Sequence, residues 1–404
     1  GTDNVAIGEN ALDAVTSGTD NTAVGDNALG ANTTGADNVA VGSAALLLNS
    51  TGDYNVAVGS IALDAATTAD KNTAIGYAAL SAATTGASNT AVGYGALSTS
   101  TTASNNTAVG DAALAANTSG TDNVGVGANA LDANTTGSDN TALGDNALGA
   151  VTTGINNTAV GSGALLLNTA NNNVAVGEAA LAASTTGAGN TAIGRTALTA
   201  NTTAALNTAV GYIALGANTT GDKNVGAGAY ALDANTTGGS NTALGYDALG
   251  ANTTASNNVA VGTYALDANT TGAQNTALGR GALGGNTTAD DNTGVGYKAL
   301  EANTTGAYNV AVGSLALDAN TTGASNVAIG YHAASVMTTG DQNTIIGRNA
   351  GDAITTADDN TAYGYSALGT TSTGANNTAV GSNALFSNTT ASNNTSVGFQ
   401  ALYA

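Results

Sequence analysis

The sequence predicts an all-β fold built from stacked coils, and three observations support this prediction. Glycine recurs every 17 residues from Gly8 to Gly398, with a single interval of 16 residues between Gly161 and Gly177. The chain consists of 24 copies of the unit N-[TV]-A-[VIL]-G-x-x-A-L-x-A-N-T-T-G-x-x, whose positions are numbered 1 to 17 from the asparagine. A unit this short cannot close a hydrophobic core alone, so neighbouring copies must stack. These observations predict a β-solenoid (β-roll) of 24 stacked 17-residue coils.

The pattern inside one copy predicts two short strands. Positions 2 and 4, mostly Thr or Val and then Val, Ile or Leu, share one face, and positions 9 and 11, mostly Leu and Ala, share another. Glycine at position 5 and glycine or alanine at position 15 predict corners. No continuous stripe with a period of 3.6 residues favours a helix. We therefore expect a coil of strand, corner, strand and corner, with leucine and valine seams inside.

Three columns are invariant: Asn at position 1, Gly at position 5 and Ala at position 8. Asparagine tolerates the left-handed backbone of corners. We expect its side-chain amide to bond to the next coil, so that the column forms a ladder. The candidate corner and ladder residues are Asn21, Gly25, Ala28 and Leu29 in the second copy and Asn157, Gly161, Ala164 and Leu165 in the tenth.

Two small columns suggest a neighbouring chain. Position 3 is Ala or Gly in all copies except at Ile345 and Ser396, and position 8 is always Ala. If both columns lie opposite the valine and leucine seams, another backbone can approach closely there. The pattern favours three chains side by side as a parallel homotrimer, and a corner too tight for larger side chains is the alternative.

The short copy and the charges indicate the exposed columns. The copy with 16 residues lacks one residue between positions 13 and 17, so this corner is expected to be exposed and permissive. Asp and Glu concentrate at positions 6, 10, 16 and 17, which are expected to face solvent.

Composition excludes several classes of protein. The chain has no cysteine, so a disulfide framework and thiolate metal sites are excluded. Its net charge of −21, with only six scattered basic residues, argues against nucleic acid binding. No apolar run approaches the roughly 20 residues that span a bilayer. The repeat runs through residues 1–404 as a single continuous domain, and we expect it to be an excerpt of a longer chain.

The unit N-T-A-V-G-x-x-A-L, found at 21–29, 157–165 and 377–385, resembles the head repeats of trimeric autotransporter adhesins. The final copy, from Asn394 to Tyr403, is also similar to 17-residue repeats of phage-type tail-fibre proteins. The resemblance implies a β-roll assembled as a parallel homotrimer, secreted or carried on a virion, that presents an adhesive tip. The adhesin heads use a shorter repeat, so the coil shape does not transfer.

Catalytic and cofactor motifs are not found in the sequence. The only histidine, His332, falls in the variable column 7, where a surface role is expected. The glycines form no phosphate-binding loop. We therefore expect no enzyme, cofactor or metal centre. Two alternatives stay open: cation binding along the column of Asp3, Asp20 and Asp37, and N-glycosylation at N-T-T sequons, which occupy position 12 in eight successive copies from Asn201 to Asn320.

Tyrosine favours position 6, where an aromatic column can stack on itself or contact a surface glycan. The candidate contact residues are Tyr77, Tyr94, Tyr212, Tyr246, Tyr297, Tyr331 and Tyr365. Ice binding is disfavoured because the paired threonines at positions 13 and 14 are adjacent and must point to opposite sides of a strand.

The sequence thus predicts a structural extracellular fibre or adhesin shaft that gives reach, stiffness and surface presentation. It is placed outside the cell, at the cell surface or on a virion tail fibre. Its expected partners are copies of itself and surface glycans. The first alternative is a protomer of a self-assembling extracellular filament, and an ice- or glycan-binding solenoid is the weaker one.

Overall fold

A computed structural model describes residues 1–403 and confirms an all-β parallel β-solenoid with 24 strands. The chain divides into two units, Gly1–Thr203 and Ala204–Ala404. Each 17-residue copy forms one coil and contributes one strand, at positions 2 to 4. The described residues contain no helix that is long and apolar enough to cross a membrane.

The first unit contains β1 to β12, each of three residues. Their bounds are β1 Val5–Ile7, β2 Thr22–Val24, β3 Val39–Val41, β4 Val56–Val58, β5 Thr73–Ile75, β6 Thr90–Val92, β7 Thr107–Val109, β8 Val124–Val126, β9 Thr141–Leu143, β10 Thr158–Val160, β11 Val174–Val176 and β12 Thr191–Ile193.

The second unit contains β13 to β24, again of three residues each. Their bounds are β13 Thr208–Val210, β14 Val225–Ala227, β15 Thr242–Leu244, β16 Val259–Val261, β17 Thr276–Leu278, β18 Thr293–Val295, β19 Val310–Val312, β20 Val327–Ile329, β21 Thr344–Ile346, β22 Thr361–Tyr363, β23 Thr378–Val380 and β24 Thr395–Val397.

Within each unit, successive strands pair in parallel and in register. Ala23 pairs with Ala40, for example, so each strand residue lies beside its equivalent 17 positions along the chain. The 16-residue copy keeps this register, because Thr158 of β10 pairs with Val174 of β11. The missing residue is absorbed in the corner, where Thr169 and Asn171 are exposed. The expected exposure of this corner is confirmed.

The second predicted strand is wrong. Positions 6 to 11 form turns instead, and the backbone at positions 7, 9 and 17 is left-handed. In the second coil, φ is 55° at Asn27, 52° at Leu29 and 57° at Asp37. This backbone still bonds to both neighbouring coils: the Asn27 N–H donates to the Glu9 carbonyl at 2.8 Å, and the Leu29 N–H donates to the Ala45 carbonyl at 3.0 Å. A turn can therefore replace a strand without leaving these donors unpaired.

The prediction of an interior valine seam is also wrong. The strand turns position 3 toward the interior and positions 2 and 4 outward. Ala23 at position 3 is fully buried, whereas Thr22 and Val24 on either side of it are only half-buried. The alanines at position 8 and the leucines at position 9 are buried, as at Ala28 and Leu29. The interior of a coil is thus narrow, and one leucine with two alanines provides its apolar part. The small columns are interior columns, so they give no evidence of a neighbouring chain.

Coils 20 and 21 (326–342 and 343–359) lack the interior leucine and fill its place from other columns. Ala334 and Gly351 occupy position 9, and the buried Met337, Ile345 and Ile354 supply the missing volume. A Cβ built on Gly351 would lie 3.0 Å from Ile354 Cδ1 and 3.1 Å from Ile345 Cγ2. The two isoleucines therefore occupy the space that a leucine fills in other coils.

This compensation predicts strong coupling between positions 345 and 351. Ile345→Ala is expected to leave a cavity and cost about 2–3 kcal/mol of unfolding free energy. Gly351→Leu alone is expected to overpack the coil and cost about 1–3 kcal/mol. The double variant restores the usual Ala and Leu pair and should lie within about 1 kcal/mol of the parent chain. Thermal and urea unfolding of the four proteins measures the coupling, and additive losses would contradict it.

Candidate functional site

The invariant asparagine of position 1 lies inside the coil and bonds to the coils around it. The Asn21 side chain is fully buried, and its Nδ2 donates to the Gly35 carbonyl at 2.8 Å. Its Oδ1 accepts both the backbone N–H of Asn38 at 3.0 Å and the Asn38 Nδ2 at 3.1 Å. Asn157 repeats the arrangement, since its Nδ2 donates to Asn140 Oδ1 at 3.1 Å and to the Ala170 carbonyl at 2.9 Å. This column links consecutive coils within each unit.

A second asparagine column, at position 12, forms another buried series. Asn49 Nδ2 donates to Asn32 Oδ1 at 3.2 Å, and Asn134 Nδ2 donates to Asn117 Oδ1 at 3.0 Å. The sequon motif alone does not indicate that this asparagine is interior. The frequent recurrence of Asn at position 12, at a fixed distance from the invariant Asn of position 1, was the signal that could have revealed its interior place.

The burial of position 12 decides whether the sequon asparagines are accessible for glycosylation. All eight asparagines from Asn201 to Asn320 have no exposed surface. Most of them donate to the carbonyl three residues later, as Asn303 Nδ2 does to Gly306 at 2.9 Å. A glycan attached to this nitrogen could not be accommodated inside the coil, so the folded solenoid and glycosylation at these eight asparagines exclude each other.

Side-chain oxygens on the surface also join the coils. At position 13, the Thr33 hydroxyl donates to the Ser50 carbonyl at 2.9 Å. At position 16, Asp53 Oδ1 accepts the backbone N–H of Ala36, and Asp70 Oδ1 accepts that of Asp53, both at 2.8 Å. Sequence reasoning assigned position 16 to solvent and missed this bond. The recurrence of Asp and Ser among the small residues of this column was the signal.

Two features require glycine at position 5: its backbone dihedral angle and its close contact with the backbone of the next coil. Gly25 has φ of 140° and Gly161 has φ of 131°, a region that residues with a Cβ rarely adopt. A Cβ on Gly161 would lie 2.6 Å from the Gly177 carbonyl oxygen of the next coil. Ala164 and Leu165 are fully buried beside it. The predicted corner residues of both coils thus occupy the interior and its tightest turn.

The tyrosines of position 6 lie on the surface. All seven candidates are between 39% and 64% exposed. Tyr77 and Tyr94 stack with ring centroids 5.4 Å apart and an interplanar angle of 14°. Tyr297 lies 5.7 Å from Lys298 Nζ, and Tyr331 lies 5.8 Å from Arg348 Cζ. Tyr331 also contacts the half-buried His332, with ring centroids 4.2 Å apart.

Four consecutive coils of the second unit carry the most extended aromatic cluster. Tyr212, Tyr230, Tyr246 and Tyr264 meet edge to face, with successive centroids 5.5, 5.8 and 5.6 Å apart. We call this cluster the tyrosine ridge. Tyr230 and Tyr264 belong to position 7, so the tyrosine preference of column 6 does not indicate them. Both residues have a positive φ, 61° at Tyr230 and 57° at Tyr264, and their rings contact those of column 6 in the neighbouring coils.

Acidic residues at position 10 are partly buried along the surface. Burial raises the pKa of five aspartates above the ordinary value of 3.8, and hydrogen bonds from backbone N–H groups partly offset this effect; they are Asp64, Asp132, Asp233, Asp267 and Asp318. In the described part of the chain, no three His, Asp or Glu residues form a group that could hold a metal ion.

The raised pKa predicts a stabilising substitution. A carboxyl whose pKa is higher in the folded state lowers stability while it is charged, and this penalty disappears as the pH falls through the folded pKa toward 3.8. Asp132→Asn should therefore raise the melting temperature at pH 7, and the gain should fade as the pH approaches 3.8. Asp111→Asn, at an exposed position of the preceding coil, is the control and should give a smaller gain. Melting curves across this pH range would contradict the prediction if the Asp132→Asn gain did not depend on pH.

Comparison with protein-family models and with curated proteins finds no match to this chain. The class of the protein is therefore defined by its own structure, a parallel β-solenoid of 17-residue coils with an asparagine-lined interior.

Proposed function

We propose that the chain is a structural, non-catalytic shaft of an extracellular fibre or adhesin, carried at a cell surface or on a virion tail fibre. The observation that carries the proposal is the repeated hydrogen bonding between consecutive coils within each unit. Strand pairing, the two asparagine columns and the position 13 hydroxyls all run from one coil to the next. Such repeated bonding suits a part that transmits load and holds other segments at a distance.

Surface chemistry supports the same proposal. The chain carries 27 acidic and six basic residues, and its net charge of −21 favours solubility at high local density. The resemblance of the repeat to adhesin heads and tail-fibre repeats supports an extracellular setting and self-association, for which we retain the parallel homotrimer as one arrangement. The small residues of positions 3 and 8 do not support that trimer, because Ala23 and Ala28 lie in the interior of the coil.

Localisation tests this proposal directly. Immunogold electron microscopy of the native source, with antibodies against the repeat, is expected to label fibres on the cell surface or on virions. Label confined to the cell interior would contradict the proposed role. An antibody against an intracellular protein of the same source provides the control for leakage.

The tyrosine ridge favours a second candidate function, binding of a surface glycan. Tyr212, Tyr246 and Tyr264 are 39% to 46% exposed, and Asp247 lies beside Tyr246 in the chain. Exposed aromatic faces with adjacent carboxylates can stack on sugar rings and accept hydrogen bonds from hydroxyls.

A glycan array tests this candidate. Tyr246→Ala is expected to weaken binding about tenfold, because an aromatic contact contributes about 1 kcal/mol or more. Tyr365→Ala, at position 6 outside the ridge, should bind like the parent chain. No binding on the array, or equal losses in both variants, would remove the ridge as a glycan site.

A further inference from the structure

The outward side of the strands forms an uncharged surface in each unit, with Val, Ile or Leu at position 4 of 22 of the 24 strands and Thr or Val at position 2. We call the side chains of positions 2 and 4 the sheet face, on β1 to β12 in the first unit and on β13 to β24 in the second. Its valines, isoleucines and leucines stay partly exposed, at 40% for Ile75, 48% for Leu143 and 38% for Leu244. All 27 acidic and six basic residues lie outside the strands, so the sheet face is uncharged in every coil.

The size of the sheet face suits a protein interface. Twelve strands at about 4.8 Å spacing and three residues of about 3.3 Å give an area of roughly 600 Å² for each unit. Two such faces in contact would bury about 1,200 Å², which reaches the lower limit of specific interfaces.

Charge and shape indicate what covers this surface. Two copies with a net charge of −21 repel each other wherever their acidic columns meet, but the sheet face carries no charge. Strand registers such as Val41 beside Val58 place the same β-branched side chains in straight rows. Two such surfaces are self-complementary, and aligned sheets pack face to face at about 10 Å.

We propose that the sheet face of one copy packs against the sheet face of a second copy of this chain. The proposal rests on the proposed function and specifies a face-to-face pair, in place of the homotrimer, as the arrangement of its self-association. A pair held this way leaves the tyrosine ridge and the acidic columns of both copies free, since they lie at positions outside the strands, and it covers Tyr363 of β22, which belongs to the sheet face.

Mass in solution tests the pairing on the full chain. The parent chain is expected to show twice the 38.2 kDa chain mass by light scattering and sedimentation. The double variant Ile75→Lys and Leu244→Lys places one charge on each unit's sheet face and should yield the single-chain mass. The control Thr85→Lys and Thr254→Lys adds the same charges in the same coils at exposed position 14, and should keep the doubled mass.

A milder variant tests whether the loss of pairing could come from misfolding caused by the lysines. Ile75→Thr and Leu244→Thr use a residue that already occurs on the sheet face, and should raise the dissociation constant about tenfold or more. Far-ultraviolet circular dichroism should match the parent for every variant.

A parent chain at 38.2 kDa or at three times that mass would overturn the face-to-face pair. So would lysine variants that stay paired. A single-chain mass with thermal hysteresis would assign the sheet face to ice instead. Each of these results leaves the immunogold test of the proposed function unaffected.

Discussion

Replacing Gly127 with alanine is expected to destabilise the first unit by about 4 kcal/mol or more, because strain and a backbone clash act together. Gly127 has φ of 135°, which alanine rarely adopts. An added Cβ would lie 2.5 Å from the Gly144 carbonyl oxygen and 2.6 Å from its carbonyl carbon. These atoms belong to the backbone of the next coil and cannot move without breaking its bonds. Circular dichroism melting and urea titration measure the loss.

Gly95→Ala is the matched control for this prediction. Gly95 also has a positive φ, of 62°, but no atom of another part of the chain lies within 4 Å of the place that its Cβ would take. Alanine already occupies the same column at Ala78 and Ala112, with φ of 56° and 54°. We expect a loss of about 1 kcal/mol, the usual cost of a left-handed alanine. Equal losses at Gly127 and Gly95 would show that the clash with the next coil is unimportant.

Removing one buried asparagine should have a comparable effect. Asn123→Ala deletes the Nδ2 bond to the Gly137 carbonyl at 2.8 Å and leaves the buried N–H of Asn140 without its acceptor, Asn123 Oδ1. An orphaned buried donor costs about 1–3 kcal/mol, and the lost bonds and the small cavity add to it, so we expect about 3–5 kcal/mol in all.

The control for Asn123→Ala lies in the same coil. Asn129→Ala changes a partly exposed asparagine at position 7, where other coils carry Ala112 and Gly163. We expect less than about 1 kcal/mol from this surface change. Hydrogen exchange at the Asn140 amide provides a local readout: faster exchange in Asn123→Ala but not in Asn129→Ala is the expected result. Unchanged exchange in both variants would contradict the role of the asparagine column.

Periodicity predicted the class of fold, because a strict 17-residue spacing leaves stacking as the only way to bury Leu29 and its equivalents. The direction of the strand faces could not be predicted in this way. The alternation of side chains along a β-strand places Thr22 and Val24 on one face, but it does not determine which face is interior. Hydrophobicity favoured valine as the interior residue, whereas the side chain buried beside Leu29 in this coil is the alanine between them, Ala23.

The second strand failed for a different reason. Leucine rarely adopts a left-handed backbone, so nothing in its residue type predicts φ of 52° at Leu29. The conformation is imposed by bonds to both neighbouring coils, such as the one from Leu29 to Ala45. These are contacts between copies, and a pattern read along one copy does not contain them. The asparagine column at position 1 was predictable, since its constancy and its corner position both point to a bonding role between coils.

In-register pairing also bears on how such a gene can change. Since every coil contacts equivalents one period away, the duplication or loss of a whole coil joins two surfaces that already match. Genetic slippage by complete repeats would then alter molecular reach in discrete steps while leaving each junction intact. The tenth copy shows where partial change is tolerated: Asn168 remains buried, and the shortening falls beyond it, at Thr169 to Asn172.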